Sequence, residues 1–231
     1  MKRLWSHLLG LFVLVLATCV LLGTLAVVVA SRQLPPLDAI SAFRQTAGYV
    51  ALDKMPPALT QAVVAIEDER FYLHDGIDYV GVIRAGLANL SDDLSQGAST
   101  ITMQVARNFF LSREKTYTRK LYEALLAYRI ESRFSKDEIL ELYMNKVYLG
   151  EGAYGFAQAA RTYFGKPLAE LTLAESAMLA GLPKAPSANN PVVNPRRARQ
   201  RQAYILLRML ELGRIDRHQY DAALLEPLRL R

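Results

Sequence analysis

The sequence predicts a mainly α-helical protein, with one N-terminal membrane-spanning helix followed by one helical domain. Three observations predict this. Leu8 to Ala30 is a run of 23 residues without a charge. Beyond Pro56, apolar residues such as Leu59, Val63 and Ile66 recur at helical spacing. No segment shows the period-2 alternation of a half-buried strand. The 231 residues suffice for an anchor and a domain of roughly 200 residues with its own core.

The elements follow in order. Residues 1–7 precede the span. At about 1.5 Å rise per residue, the helix of residues 8–30 crosses a hydrocarbon core of about 30 Å. A cleaved signal peptide is the alternative, since Val28-Val29-Ala30 ends on a small residue, but a signal core is about 7–15 residues and this one is longer. Lys2 and Arg3 precede the span and only Arg32 follows closely, so the positive-inside bias leaves the N-terminus in the cytoplasm. Residues 31–55, with Pro35-Pro36, read as a connector, and 56–231 as the domain. Pro56-Pro57 opens a helix, because proline at the first helical position loses no needed N–H. Ser91 to Ala98 is a polar, glycine-containing loop, and Ser99 or Thr100 caps a helix to Phe110. A long helix covers Thr118 to Arg133. Ser135 to Glu138 is a capping box opening a helix to about Tyr148, broken by Gly150, Gly152 and Gly155. Phe156 to Phe164 is helical and ends at Gly165. Thr172 to Glu175 is a second capping box, whose helix stops at Gly181 and Pro183. After an irregular stretch, Pro195 to Leu212 is an amphipathic helix ending at Gly213.

Lys and Arg total 28 against 22 Asp and Glu, a formal charge of +6. That balance suits an anionic partner: phosphate, pyrophosphate, acidic membrane or nucleic acid. The single cysteine, Cys19, lies in the apolar run, which rules out an intramolecular disulfide and a thiolate metal site.

Three segments carry groups suited to chemistry. Glu67 sits one turn after Val63 at the edge of an apolar stripe. Partial desolvation there raises a carboxylate's proton affinity and makes it usable as a base near neutrality. The ordinary alternative is a solvated helix end. The run from Gly97 to Asn108 brings a glycine-containing loop into a capped helix, whose first N–H groups can face an anion. Gln104, Arg107 and Asn108 share a face of that helix, which could also be merely its polar side. Arg119 and Glu123 are four apart, with Lys120 three from Glu123, so the three face one way. They are either a surface ion-pair face or a carboxylate beside cations that grip a diphosphate.

Together the segments resemble the peptidoglycan glycosyltransferase family, the lysozyme-like transferases found alone or fused to penicillin-binding transpeptidases. The first block is Glu67-Asp68-x-x-Phe71-x-x-His74-x-Gly76. The second is Gly97-Ala98-Ser99-Thr100-Ile101-Thr102-Met103-Gln104-Val105-Ala106-Arg107-Asn108. The third is Arg119-Lys120-x-x-Glu123, followed by Ala127 and Glu131. The fourth runs from Ser135 to Asn145, with Gly150, Gly155 and Tyr163 to Lys166 behind it. The fifth is Glu175 to Pro183, with Pro186 and Asn194-Pro195. Five co-linear blocks over about residues 50–215 are far more specific than any one. Two positions depart from the family pattern: Met103 stands for the first of two glutamines, and Arg107 for a lysine. Arginine keeps the charge and adds a bidentate fork.

The resemblance implies a lysozyme-like, two-lobed helical domain in the bacterial inner membrane, on its outer, periplasmic face. The implied reaction polymerises glycan from lipid II, with no transpeptidase domain after Arg231. Glu67 is then the general base. Arg107, Arg119 and Lys120, with Ser99, Thr100, Gln104 and Asn108, bind the donor pyrophosphate. Glu123 orients those cations or helps hold a divalent ion such as Mg2+; no cofactor is obligatory. Asp68, Phe71, His74 and Gly76 support the site, with His74 bracing the Glu67 loop. The implied partners are lipid II, the undecaprenyl-pyrophosphate-linked glycan, the bilayer and other wall-synthesis and division proteins, and no nucleic acid. The arginines Arg196, Arg197, Arg199 and Arg201 would touch anionic lipid or form a solvated cap. A glycan-cutting hydrolase and a catalytically dead scaffold are the rival readings.

Overall fold

A computed structural model describes residues 2–90, 99–111 and 117–231. It divides into two compact units, residues 1–36 and 37–231. The first is the helix α1 (Lys2–Arg32), whose window Leu9–Arg32 is long and apolar enough to cross a membrane.

The second unit is also helical: α2 (Asp38–Phe43), α3 (Pro57–Glu67), α4 (Tyr79–Leu90), α5 (Ile101–Phe110), α6 (Tyr117–Glu131), α7 (Lys136–Lys146), α8 (Phe156–Phe164), α9 (Leu173–Ala180), α10 (Pro195–Glu211) and α11 (Arg217–Leu225). Among the described residues the only β pairing is an isolated bridge between Tyr148 and Tyr154. The expected polar loop 91–98 lies outside the described residues.

Local chemistry sets most boundaries. Proline occupies the first turn of α3 and of α10. Full capping boxes open α7 at Ser135 and α9 at Thr172. A third, Asp216 with Gln219, opens α11, a helix the sequence reading did not identify. Gly165 ends α8 in the left-handed region at φ +69°.

α9 is the central helix: Ala174 to Ala180 are all buried. Its one acid, Glu175, is paired with Lys166 at 2.6 Å. α3 and α10 pack on α9 and on each other, while α5 packs on α6 and α7. Leu37 to Met55, read from sequence as connector, is fastened to the second unit. Ile40 has no exposed surface. Tyr49 Oη and the Leu52 N–H both donate to Glu141, each at 2.8 Å. Val50 exchanges two hydrogen bonds with the Asn145 amide, at 2.9 and 2.8 Å.

Candidate active site

Glu67 is the last residue of α3, whose Leu59, Ala62, Val63, Val64 and Ala65 are buried. It is held where the apolar helix ends. Gln104 Nε2, on α5, donates to Glu67 Oε2 at 2.8 Å. Arg107 donates to the Gln104 carbonyl oxygen at 3.4 Å, which turns the amide so that its NH2 faces the carboxylate. Burial pushes the Glu67 carboxyl above the ordinary range. The Gln104 hydrogen bond and the charges of Arg201, Arg107 and Lys184 pull the other way without cancelling it.

The turn after Glu67 is bound to the start of α5. Asp68 Oδ2 accepts from the Ile101 N–H at 3.0 Å, and His74 Nε2 lies 3.1 and 3.0 Å from the two Asp68 oxygens. Thr100 caps α5, accepting from the Met103 N–H at 3.1 Å, and donates to the Gly76 carbonyl at 2.6 Å. Gly76 has φ +87°, and a Cβ there would lie 3.1 Å from the Ala127 carbonyl carbon on α6. Only glycine meets both demands. Phe71 is fully buried, packs edge-on against His74 and carries Lys136 Nζ 4.5 Å above its ring. The expected use of the α5 N-terminus as an anion cradle is therefore constrained. The Ile101 and Met103 N–H groups are occupied by Asp68 and Thr100, so these two do not face outward toward an anion.

A second carboxylate lies on α6. Glu123 has no exposed surface. Arg119 Nε stands 3.1 Å from one oxygen and Lys120 Nζ 2.6 Å from the other. Lys120 also donates to Ser99 Oγ at 2.7 Å, which ties this cluster to the approach to α5. Both Glu123 oxygens are thus engaged by cations. Among the described residues, no group of three or more His, Cys, Asp or Glu could hold a metal ion. Asn108 lies one turn beyond Gln104 on α5.

Three neighbours of Glu67 were not singled out as site residues from sequence. Tyr143 on α7 is fully buried, and its hydroxyl has no hydrogen-bond partner among the described residues. Burial, and then the negative charge of Glu67, pushes that phenol well above its usual range. Lys184 follows α9, and Arg201 lies on α10; both act electrostatically on Glu67. The arginines of α10 therefore divide. Arg196 and Arg197 are exposed, as a lipid-facing or solvated patch requires. Arg199 turns inward to Gln202 and the Glu226 carbonyl, each at 3.2 Å. Arg201 buries its Nε beside the catalytic candidate. The signal lay in the helical spacing of Ala198, Ile205 and Met209, which places Arg201 at the edge of the buried face.

Comparison with known proteins gives a consistent answer. The family model described as Transglycosylase matches residues 36–210. A protein of Cupriavidus necator, named as a candidate transglycosylase, is 75% identical over 231 residues, the whole of both chains. Penicillin-binding protein 1A of Neisseria flavescens is 51% identical over 88% of this chain, and that of Neisseria cinerea 50% identical over 94%. The chain spans only 28% and 30% of their lengths. The crystal structure of penicillin-binding protein 1A from Haemophilus influenzae is 40% identical, covers 57% of this chain and 16% of its own, and superposes with a TM-score of 0.40. From the full-length relative and the family match across three-quarters of its residues, the chain belongs to the transglycosylase family.

Proposed function

We propose that this glycosyltransferase polymerises peptidoglycan glycan strands from lipid II. In this reading, α1 anchors it in the bacterial cytoplasmic membrane, N-terminus inside, with the catalytic unit on the outer face. The donor is the growing strand on undecaprenyl pyrophosphate; the acceptor is lipid II. Glu67 takes the proton from the acceptor's GlcNAc 4-hydroxyl. That oxygen bonds to the donor's MurNAc anomeric carbon as the bond to the pyrophosphate oxygen breaks. The electron pair leaves with the pyrophosphate, and an α-linkage becomes a β-1,4 bond with inversion.

The observation that carries this reading is the unequal treatment of two carboxylates. Glu67 is desolvated and held by a neutral amide, so it can exchange a proton. Glu123 is held between two cations. A pyrophosphate leaving group needs positive charge where its own charge develops, not a strong acid. Arg107, Arg119 and Lys120 supply that charge, and Glu123 aims the latter two. A glycosidase would instead need a carboxylic acid to protonate the leaving oxygen.

The test incubates the purified full chain in detergent with lipid II and, separately, with finished peptidoglycan. Polymer from lipid II is the expected result. Fragments from finished peptidoglycan, without polymer from lipid II, would overturn the reading in favour of a hydrolase.

A further inference from the structure

Glu69 is two residues past Glu67 and takes no part in the transfer described above. It is nevertheless bridged by two guanidiniums, one on each oxygen. One oxygen meets Arg84 of α4 and the other meets Arg208 of α10. Burial alone would push its carboxyl up, but the two guanidiniums outweigh burial and hold it below the usual range. Arg208 also pairs with Glu211, at 2.7 Å.

Arg208 lies seven residues after Arg201, two turns along α10 and on nearly the same face. The two arginines act on one short segment, Arg208 through its ion pair with Glu69 and Arg201 through its charge on Glu67. Arg201 itself is held by packing. A Cβ on Gly181 would lie 2.9 Å from Arg201 Cγ, and the guanidinium carbon stands 5.4 Å from the Tyr204 ring. Gln202, the next residue, fastens the middle of α10 by donating to the Ala174 carbonyl at 2.7 Å. On the C-terminal side of Arg201, Arg208–Glu69 ties α10 to the Glu67 turn itself.

We propose that Glu69 is a positioning residue that, through Arg208, fixes α10 in the register keeping the Arg201 guanidinium beside Glu67. The ion pair thereby sets the charge environment of the base from outside the site. This rests on the reading of Glu67 as the base, and it predicts where Glu67 titrates. The groups that act on Glu67 are Gln104 and Arg107 on α5, Arg201 on α10 and Lys184 after α9; Tyr143 on α7 feels its charge, and the charged residues Asp68 and Glu69 follow it in the chain. Withdrawing Arg201 removes one of the charges that lower its proton affinity, so the Glu67 midpoint must rise.

The experiment titrates the Glu67 carboxyl by carbon-13 NMR of the glutamate-labelled full chain in detergent, the resonance being assigned by its loss in Glu67→Gln. Arg208→Gln should move the midpoint up by about half a pH unit, and Arg201→Gln by about one, since a nearby opposite charge shifts a carboxyl by roughly 1–3 units. The Arg201→Gln/Arg208→Gln pair should match Arg201→Gln alone, because the effect of Arg208 passes through Arg201. Arg208→Lys, a gentler change that keeps the fold if Arg208→Gln does not, should give a smaller upward shift, also absent on the Arg201→Gln background. An unmoved midpoint in Arg208→Gln or Arg208→Lys, or shifts that simply add, would overturn the proposal. This readout does not depend on turnover. Failure of Glu67 as the base would appear instead as polymerisation surviving Glu67→Gln.

Discussion

Glu67 and Glu123 are the same residue in two opposite settings. Glu67 ends an apolar helix, receives one hydrogen bond from an uncharged amide, and feels Arg107, Arg201 and Lys184 electrostatically. Glu123 is fully buried and holds Arg119 and Lys120 directly against its two oxygens. The difference teaches that the kind of partner, more than the depth of burial, decides what a carboxylate can do. A neutral donor leaves the proton exchangeable, whereas paired cations turn the carboxylate into an anchor that holds their positions.

The sharpest way to break this comparison is to make both residues isosteric amides. Glu67→Gln should lower lipid II polymerisation by about 10²–10⁴-fold, the usual range for a general base, with helicity by circular dichroism unchanged. Activity above about a tenth of wild type would remove Glu67 from that role. The same change should stabilise the fold at neutral pH. The proton affinity of Glu67 is higher folded than unfolded, so the unfolded chain loses that proton first. Stability is therefore lost as pH rises from the unfolded carboxylate range through the folded value. Glutamine cannot ionise, so the melting temperature above that window should exceed wild type, by about 2–4 °C per kcal/mol recovered. Glu123→Gln should do the reverse and lower stability, because it leaves two cations facing an amide. Lys120 is about half exposed, so this loss should fall near 1–2 kcal/mol, below the 3–5 kcal/mol of a wholly buried broken pair. Glu123→Gln should also reduce turnover without moving the acid limb of the pH–rate profile.

The cations come next in size. Arg107→Ala and Arg119→Ala should each slow polymerisation about ten- to a hundredfold, since charge-assisted contacts contribute roughly 1.5–3 kcal/mol. The loss in Arg119→Ala should fall on donor use more than on acceptor binding. If both variants polymerise like wild type, the pyrophosphate is not held here. Gln104→Leu should shift the acid limb upward, because it removes the hydrogen bond that favours ionised Glu67. The smallest effect should be Arg107→Lys, which keeps the charge, loses the fork and alters rate by only a few-fold in the same assay.

How much of this was legible in the sequence depended on distance along the chain. The capping boxes at Ser135 and Thr172 and the glycine stop at Gly165 are local, and each was readable from neighbouring residues. Asp216 and Gln219 form an equally local box, but aspartate with glutamine is a weaker signal than serine or threonine with glutamate. The pairing of Gln104 with Glu67, and the clasp of Asp68 on the Ile101 N–H, join residues 37 and 33 positions apart. Spacing shows which residues share a helix face, but not which helix that face meets. Arg201 illustrates the gap. Among several arginines on one helix, packing against Gly181 decides that it points inward.

The double clasp between the first two sequence blocks, Asp68 to Ile101 and Thr100 to Gly76, also bears on how such a site can evolve. Asp68 and Thr100 supply the side chains of that clasp, so replacing either of them disturbs geometry and fold at once. The two positions at which the sequence departs from the family pattern, Met103 and Arg107, carry no side-chain bond in that clasp; the hydrogen bond of Arg107 runs to Gln104 on its own helix. Changes at those two positions can adjust polarity and reach while the frame that positions Glu67 stays intact.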